Sequence, residues 1–202
     1  MGLFSQFYAR WFDRVTIGST GRQALVSLTL LAAVAASLAA APGPDGVLGA
    51  FLAALVLAIA VSDFRRYIIP NELTGAAFGL ALFRAATIGP EAGWDGLLWA
   101  AGRALAIALP FLALMAGYRW WRGRDGLGLG DIKLAGVAGA WLGLVTIFAV
   151  VELATLSALG AYFLAGAIRK RPFKATAILP FGVFLAPAIW LGWLAEALLS
   201  RW

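Results

Sequence analysis

Ten carboxylates carry almost all the acid–base capacity of this chain, because it contains no cysteine and no histidine. That absence excludes disulfide staples, thiolate or imidazole metal sites, and Ser-His or Cys-His nucleophilic catalysis. Most of the ten have an ordinary explanation. Asp13, Asp45, Glu91 and Asp95 fall in an N-terminal arm or in polar turns, and Glu152 and Glu196 read as wetted helix ends. Glu72 follows Pro70-Asn71, where an asparagine suits an N-cap and an acid suits the positive end of a helix. Asp125 sits among arginines. Asp63 and Asp131 remain, one closing an apolar run and the other opening one. Two carboxylates that approach each other in a poorly solvated place resist double ionisation and share a proton. One can then deprotonate a water while the other, protonated, hydrogen-bonds a carbonyl that the water attacks. Periodicity alone leaves a second reading open, in which the two are helix-end residues that never meet.

The elements that would bring them together are membrane spans. Apolar residues make up 62% of the 202 and charged residues 13%, against roughly 45–50% and 25% in an average globular protein. Seven apolar runs, at 24–41, 47–62, 73–88, 97–118, 134–150, 153–168 and 176–199, approach the length that crosses a bilayer as a helix. Pro42-Gly43-Pro44, Gly89-Pro90 and Arg171-Pro172 punctuate them. The expectation is an all-α fold, a polytopic transmembrane bundle of about six to seven spans.

Thirteen of the sixteen basic residues fall in the N-terminal arm and in alternate loops; the opposite loops, near 42–46, 89–96 and 150–153, hold none. The positive-inside rule puts the thirteen in the cytoplasm, and with them Asp63 and Asp131 at one membrane boundary. The net charge of +6 therefore reads as orientation and contact with anionic lipid, with no nucleic-acid partner. The arm alternates aromatics and arginines from Phe4 to Arg14, as an interfacial helix does. Ala39-Ala40-Ala41 resembles a signal-peptidase site, but a 22-residue arm and a full-length apolar run predict a retained helix. This divides the chain into 1–46, arm and first transmembrane helix, and 47–202, a membrane-embedded domain.

Asp63 stands in Asp63-Phe-Arg-Arg-Tyr-Ile-Ile-Pro-Asn-Glu-Leu-Thr74, and Asp131 in Gly126-Leu-Gly-Leu-Gly-Asp-Ile-Lys-Leu134. Gly139-Ala-Trp-Leu-Gly143 and Leu179-Pro-Phe-Gly-Val-Phe-Leu185 follow. In this order and topology they resemble the type IV prepilin peptidases, membrane aspartic proteases with a GxGD motif, over about residues 50–190. The resemblance implies a bacterial inner-membrane endopeptidase that removes the short basic leader of prepilin or pseudopilin precursors at the cytoplasmic face. Asp63 and Asp131 would be catalytic, 47–202 the peptidase domain, the precursor and the lipid bilayer its partners, and no cofactor or metal would be needed. Longer members add a cysteine tetrad for zinc and N-methylate the product. A chain without cysteine resembles the short, peptidase-only form.

Neighbouring residues can be read physically. Gly128 and Gly130 either let a substrate strand approach the backbone or form a flexible entry to a helix. Their glycine run is no phosphate cradle, since no Lys-Ser/Thr follows it. Pro70, Asn71 and Lys133 support the motifs; Lys133, two residues from Asp131 along a helix, faces elsewhere and reads as an anchor. Trp120 and Trp121 suit an interfacial belt. Gly75-xxx-Gly79 and Gly139-xxx-Gly143 suit close helix packing. Helix dipoles favour the anion at Asp131, near an N-terminus, and the neutral acid at Asp63, near a C-terminus. The main competing function is a proton- or ion-coupled transporter using an Asp pair. Such a site belongs near the bilayer midplane on broken helices, whereas these aspartates are expected at one boundary. A third reading is a non-catalytic subunit that chaperones pilins.

Overall fold

The computed structural model describes residues 19–89, 91–123, 128–169 and 179–200. The interfacial arm, Pro90, Asp125 with Gly126, and Arg171-Pro172 lie outside them. Seven helices follow in order: α1 Ser19–Ala40, α2 Pro44–Arg66, α3 Asn71–Thr87, α4 Trp94–Arg122, α5 Leu129–Trp141, α6 Leu144–Arg169 and α7 Gly182–Leu199. No strand occurs among the described residues. Five helices, α1, α2, α4, α6 and α7, are long and apolar enough to cross a membrane, while α3 has 17 residues and α5 only 13. The polytopic helical bundle expected from composition is the architecture observed.

Local chemistry sets the helix ends. Gly43, at φ 104°, turns the chain after α1, and Pro44 opens α2 in a first-turn position where its missing N–H costs nothing. Arg65 and Arg66 occupy the last turn of α2, where cations suit the dipole, and Tyr67 ends it in the left-handed region at φ 56°. Pro110 and Pro187 lie inside α4 and α7 without ending either helix.

Two expected spans are redrawn. The runs at 134–150 and 153–168 are a short helix ending at Trp141 and one continuous helix from Leu144. The break falls at Leu142, whose backbone is extended, and at Gly143, whose N–H donates to Glu196 Oε1 at 2.8 Å. Glu152, taken for a turn because it is charged, is instead an exposed residue inside α6. No glycine or proline stands at 150–153 to stop a helix. Glu196 likewise is more than a wetted end, since its carboxylate caps the start of α6.

The core is built round α5. Every residue from Leu134 to Leu142 is buried, with α4, α3 and α7 packed about it. A helix enclosed on all sides is apolar all round, so it carries little periodic signal. Gly139 is needed there: a Cβ would lie 2.7 Å from Arg103 O and 2.8 Å from Ala104 Cα on α4. Gly75 and Gly79 differ from expectation, since a Cβ at either would meet nothing within 4 Å. Among the described residues neither glycine is needed for a close helix contact. Elsewhere α4 and α6 turn Leu105, Leu109, Leu114, Leu156 and Leu164 outward, as lipid-facing helices do.

At the end of the bundle where α2 and α7 respectively begin and finish, polar groups are paired. Arg84 of α3 grips Asp45 of α2 through Nε at 2.6 Å and Nη2 at 3.2 Å. Its guanidinium also lies 5.6 Å from the ring centroid of Trp141, whose Nε1 donates to Ala77 O at 3.0 Å. Asp45, read from sequence as a solvated turn acid, is one half of an ion pair.

Candidate active site

The other ends of the same helices meet round Asp63. It lies one turn from the end of α2, only 5% exposed. Its carbonyl accepts the Tyr67 N–H at 2.8 Å, which closes the last turn. The left-handed Tyr67 then turns the chain back through Ile68, Ile69 and Pro70 into α3. Ser62 Oγ donates to Ile68 O at 2.9 Å and secures that return.

Pro70, expected to support the motif, occupies the N-cap position of α3 with an extended backbone. Asn71, expected at the cap, is instead the first helical residue. Its side chain has other work, with Asn71 Oδ1 accepting from Lys133 Nζ at 2.7 Å. Thr74, one turn on, donates to the carbonyls of Pro70 and Asn71, both at 3.1 Å. The Lys133–Asn71 bond ties α5 to α3 and gives Lys133 the anchoring part expected of it.

Asp131 stands in the first turn of α5, behind the N-cap Gly128. The Asp131 N–H donates to Gly128 O at 3.1 Å, and the Gly128 N–H interacts in return with the Asp131 carboxylate. This is one half of a capping box, the N3 carboxylate reaching back to the N-cap N–H; the glycine N-cap has no side chain to supply the other half. Burial pushes the Asp131 carboxyl up to about 6, and the Asp63 charge adds to the rise, while the Gly128 N–H opposes it. The two aspartates therefore feel each other. Geometry agrees that they are neighbours, since Ile69 lies against both Gly130, which precedes Asp131, and Gly182, which abuts the Asp63 carboxylate.

Ile69 is the side chain that sequence reasoning did not single out. A Cβ at Gly130 would lie 2.9 Å from Ile69 Cβ, and one at Gly182 would lie 2.7 Å from Ile69 Cδ1. Ile69 is thus wedged between the residue preceding Asp131 and the first residue of α7. Gly130 is required for close approach to this wedge rather than for an open loop.

Gly182 and Val183 complete the site. Val183 N–H donates to Asp63 Oδ2 at 3.1 Å. The Pro-Phe-Gly segment was visible as a motif, but nothing in its local pattern pointed to an acid on α2. The positive end of α7 therefore faces Asp63, so the dipole of its own helix is not the only one acting on that residue. Among the described residues no group of three or more Asp or Glu side chains could hold a metal ion.

The site also sits well short of the end of α4. Gly136 packs against Ala108 and Gly139 against Ala104. At 1.5 Å per residue, Asp131 is level with about residue 113 of that antiparallel helix. The helix runs on to Arg122, with Trp120 and Trp121 exposed and the Arg122 guanidinium 4.7 Å from the Trp121 ring centroid.

Residues 50–168 match the type IV leader peptidase family. A prepilin leader peptidase/N-methyltransferase of Aeromonas hydrophila is 30% identical over 186 residues, which cover 87% of this chain and 58% of that protein. A protein of the same description from Escherichia coli (strain K12) is 30% identical over 182 residues, 84% of this chain and 74% of the relative. Another, from Burkholderia pseudomallei (strain K96243), is 33% identical over 166 residues, 76% and 48% of the two chains. This chain thus spans a little over half the length of the Aeromonas relative. No solved structure matches it.

Proposed function

This chain belongs to the type IV leader peptidase family, and from that premise we propose that it is a membrane aspartic endopeptidase acting on prepilin or pseudopilin precursors. It removes their short basic leader at the cytoplasmic face of the bacterial inner membrane. Asp63 and Asp131 are its catalytic residues. The observation that supports this reading is that α2 and α5 bring the two carboxylates to one wedge, Ile69, which lies against both Gly130 beside Asp131 and Gly182 beside Asp63.

The chemistry follows from one shared proton. The ionised carboxylate takes a proton from water as the water oxygen bonds to the scissile carbonyl carbon. The protonated partner donates a hydrogen bond to the carbonyl oxygen, which becomes tetrahedral. Collapse breaks the C–N bond, the amine leaves with a proton from the pair, and the new carboxylate leaves with the leader. The proton belongs to the pair rather than to either residue. The Val183 N–H favours the anion at Asp63, which opposes the assignment that single-helix dipoles suggest, because α7 adds a second dipole there.

The thirteen basic residues that fall in the arm and in alternate loops of the sequence support the cytoplasmic face. The basic loops gain nothing from a basic leader, so recognition falls to the substrate's apolar helix and the local acids.

The test is cleavage of a synthetic precursor by purified protein, with the cut site identified by mass. Wild type releases the leader, and Asp63→Asn and Asp131→Asn do not. Cleavage persisting in both variants would end the protease reading.

A further inference from the structure

The first turn of α7 does more than start a helix. Its N–H groups have no partner within the helix, and the Val183 N–H is aimed at Asp63 Oδ2 at 3.1 Å, while a longer contact of 3.3 Å reaches Pro180 O. Gly182 is buried against the same carboxylate. A Cβ there would lie 2.9 Å from Asp63 Oδ2 and 3.2 Å from its Cγ, in addition to 2.7 Å from Ile69 Cδ1. No other residue type lets the turn come this close without moving the acid or the wedge.

We propose that the Pro180–Val183 turn is the positioning element of Asp63: the Val183 N–H holds Oδ2, Oδ1 is left as the oxygen that works on water, and Gly182 is the residue that makes this hold reachable. The proposal rests on the reading of Asp63 as a catalytic residue. Gly182 and Val183 touch no reacting atom; they act through Asp63. Backbone N–H groups of both Val183 and Gly182 act on this carboxylate and restrain its rotation about the last side-chain torsion, which is otherwise broad. They therefore set the direction in which Oδ1 faces the water and Asp131. A misplacement of about 1 Å in a reacting group costs on the order of 100-fold in rate.

The double contact of Gly182 makes the role separable from packing. Ile69→Val removes Cδ1, the atom that a new methyl at 182 would strike first, and leaves the encounter with Asp63 untouched. If the turn positions Asp63, Gly182→Ala lowers kcat by about 100-fold with KM changed less than threefold. The double variant Gly182→Ala/Ile69→Val stays about 100-fold slower than Ile69→Val alone, which is its reference. If Gly182 serves packing only, the double variant regains the kcat of Ile69→Val, and that result overturns the proposal.

Val183→Pro gives a second route, removing the N–H in a first-turn position where proline is tolerated. It should reproduce the kcat loss of Gly182→Ala, and it decides the question if Gly182→Ala lacks a cooperative thermal transition. Full kcat in Val183→Pro also overturns the proposal. An infrared readout is independent of activity. The carboxyl band that Asp63→Asn deletes should shift in Gly182→Ala, in the double variant and in Val183→Pro, but not in Ile69→Val. A wild type that cleaves no precursor sinks the proposed function, yet the infrared shift still decides whether the turn holds Asp63. An unmoved band in all variants refutes it.

Discussion

The two ends of this bundle use the same helices for opposite purposes. At one end, Asp45 of α2 faces Arg84 of α3 in a two-pronged ion pair, and Glu196 of α7 accepts the N–H of Gly143 beside the end of α5. Every acid named there has a donor matched to it. At the other end, α2 and α5 deliver Asp63 and Asp131 to one place, and among the described residues neither forms an ion pair with a cation. The lone cation on α5 near them, Lys133, is turned to Asn71. A paired carboxylate contributes to stability and is chemically idle. A pair of buried carboxylates without a cation costs stability, and on the proposed function it is the pair that reacts.

The comparison is broken most directly by exchanging one acid at each end. Asp63→Asn should lower cleavage by more than 100-fold without lowering the melting temperature, whereas Asp45→Asn should do the reverse. Loss of the Asp45 charge leaves Arg84 partly buried and half-satisfied, so stability should fall by about 2 kcal/mol in thermal unfolding. The cleavage rate per folded molecule should be unchanged. An Asp45→Asn protein that melts like wild type but cleaves poorly would erase the distinction between the ends.

A smaller effect sharpens the cost at the reactive end. The Asp131 pKa is raised from 3.8 to about 6, chiefly by burial, so the folded state binds its proton more tightly than the unfolded chain. Stability from this group is present below pH 3.8 and is lost as pH rises through about 6. Asp131→Asn should therefore stabilise the protein at pH 7 by on the order of 2 kcal/mol, and by nothing at pH 3. Equal effects at both pH values would remove the electrostatic cost from Asp131. The smallest change is expected at the exposed Lys133–Asn71 bond. Lys133→Met or Asn71→Ala should each lower kcat less than tenfold, and the double variant should be no slower than the worse single, because both delete one bond. Additive losses would mean that the two side chains act separately.

Much of the site was legible in residues close together in sequence. The absence of histidine and cysteine left carboxylates as the candidate chemistry, and local motifs singled out Asp63, Asp131 and Lys133 as candidates. What escaped was contact between distant segments. Ile69 looked like one more apolar residue before a proline, and it is the wedge that Gly130 and Gly182 approach. Gly182 belonged to a visible motif whose partner, Asp63, no local pattern could supply. Gly75-xxx-Gly79 and Gly139-xxx-Gly143 have the same spacing, yet only Gly139 meets a neighbouring helix backbone.

Composition and charge pattern by themselves determined an all-helical membrane bundle, because apolar area on this scale has to face lipid and spans must satisfy their backbone internally. They determined the alternation of the helix ends as well, since moving a break from 150–153 to Leu142 and Gly143 leaves seven helices in the same order. Tertiary structure alone decided where α5 stops, which glycines touch a neighbour, and that the N-terminus of α7 is brought against Asp63. Those outcomes depend on side chains from several helices filling one volume, and residue order along a single helix does not encode which foreign atom will occupy the space beside it.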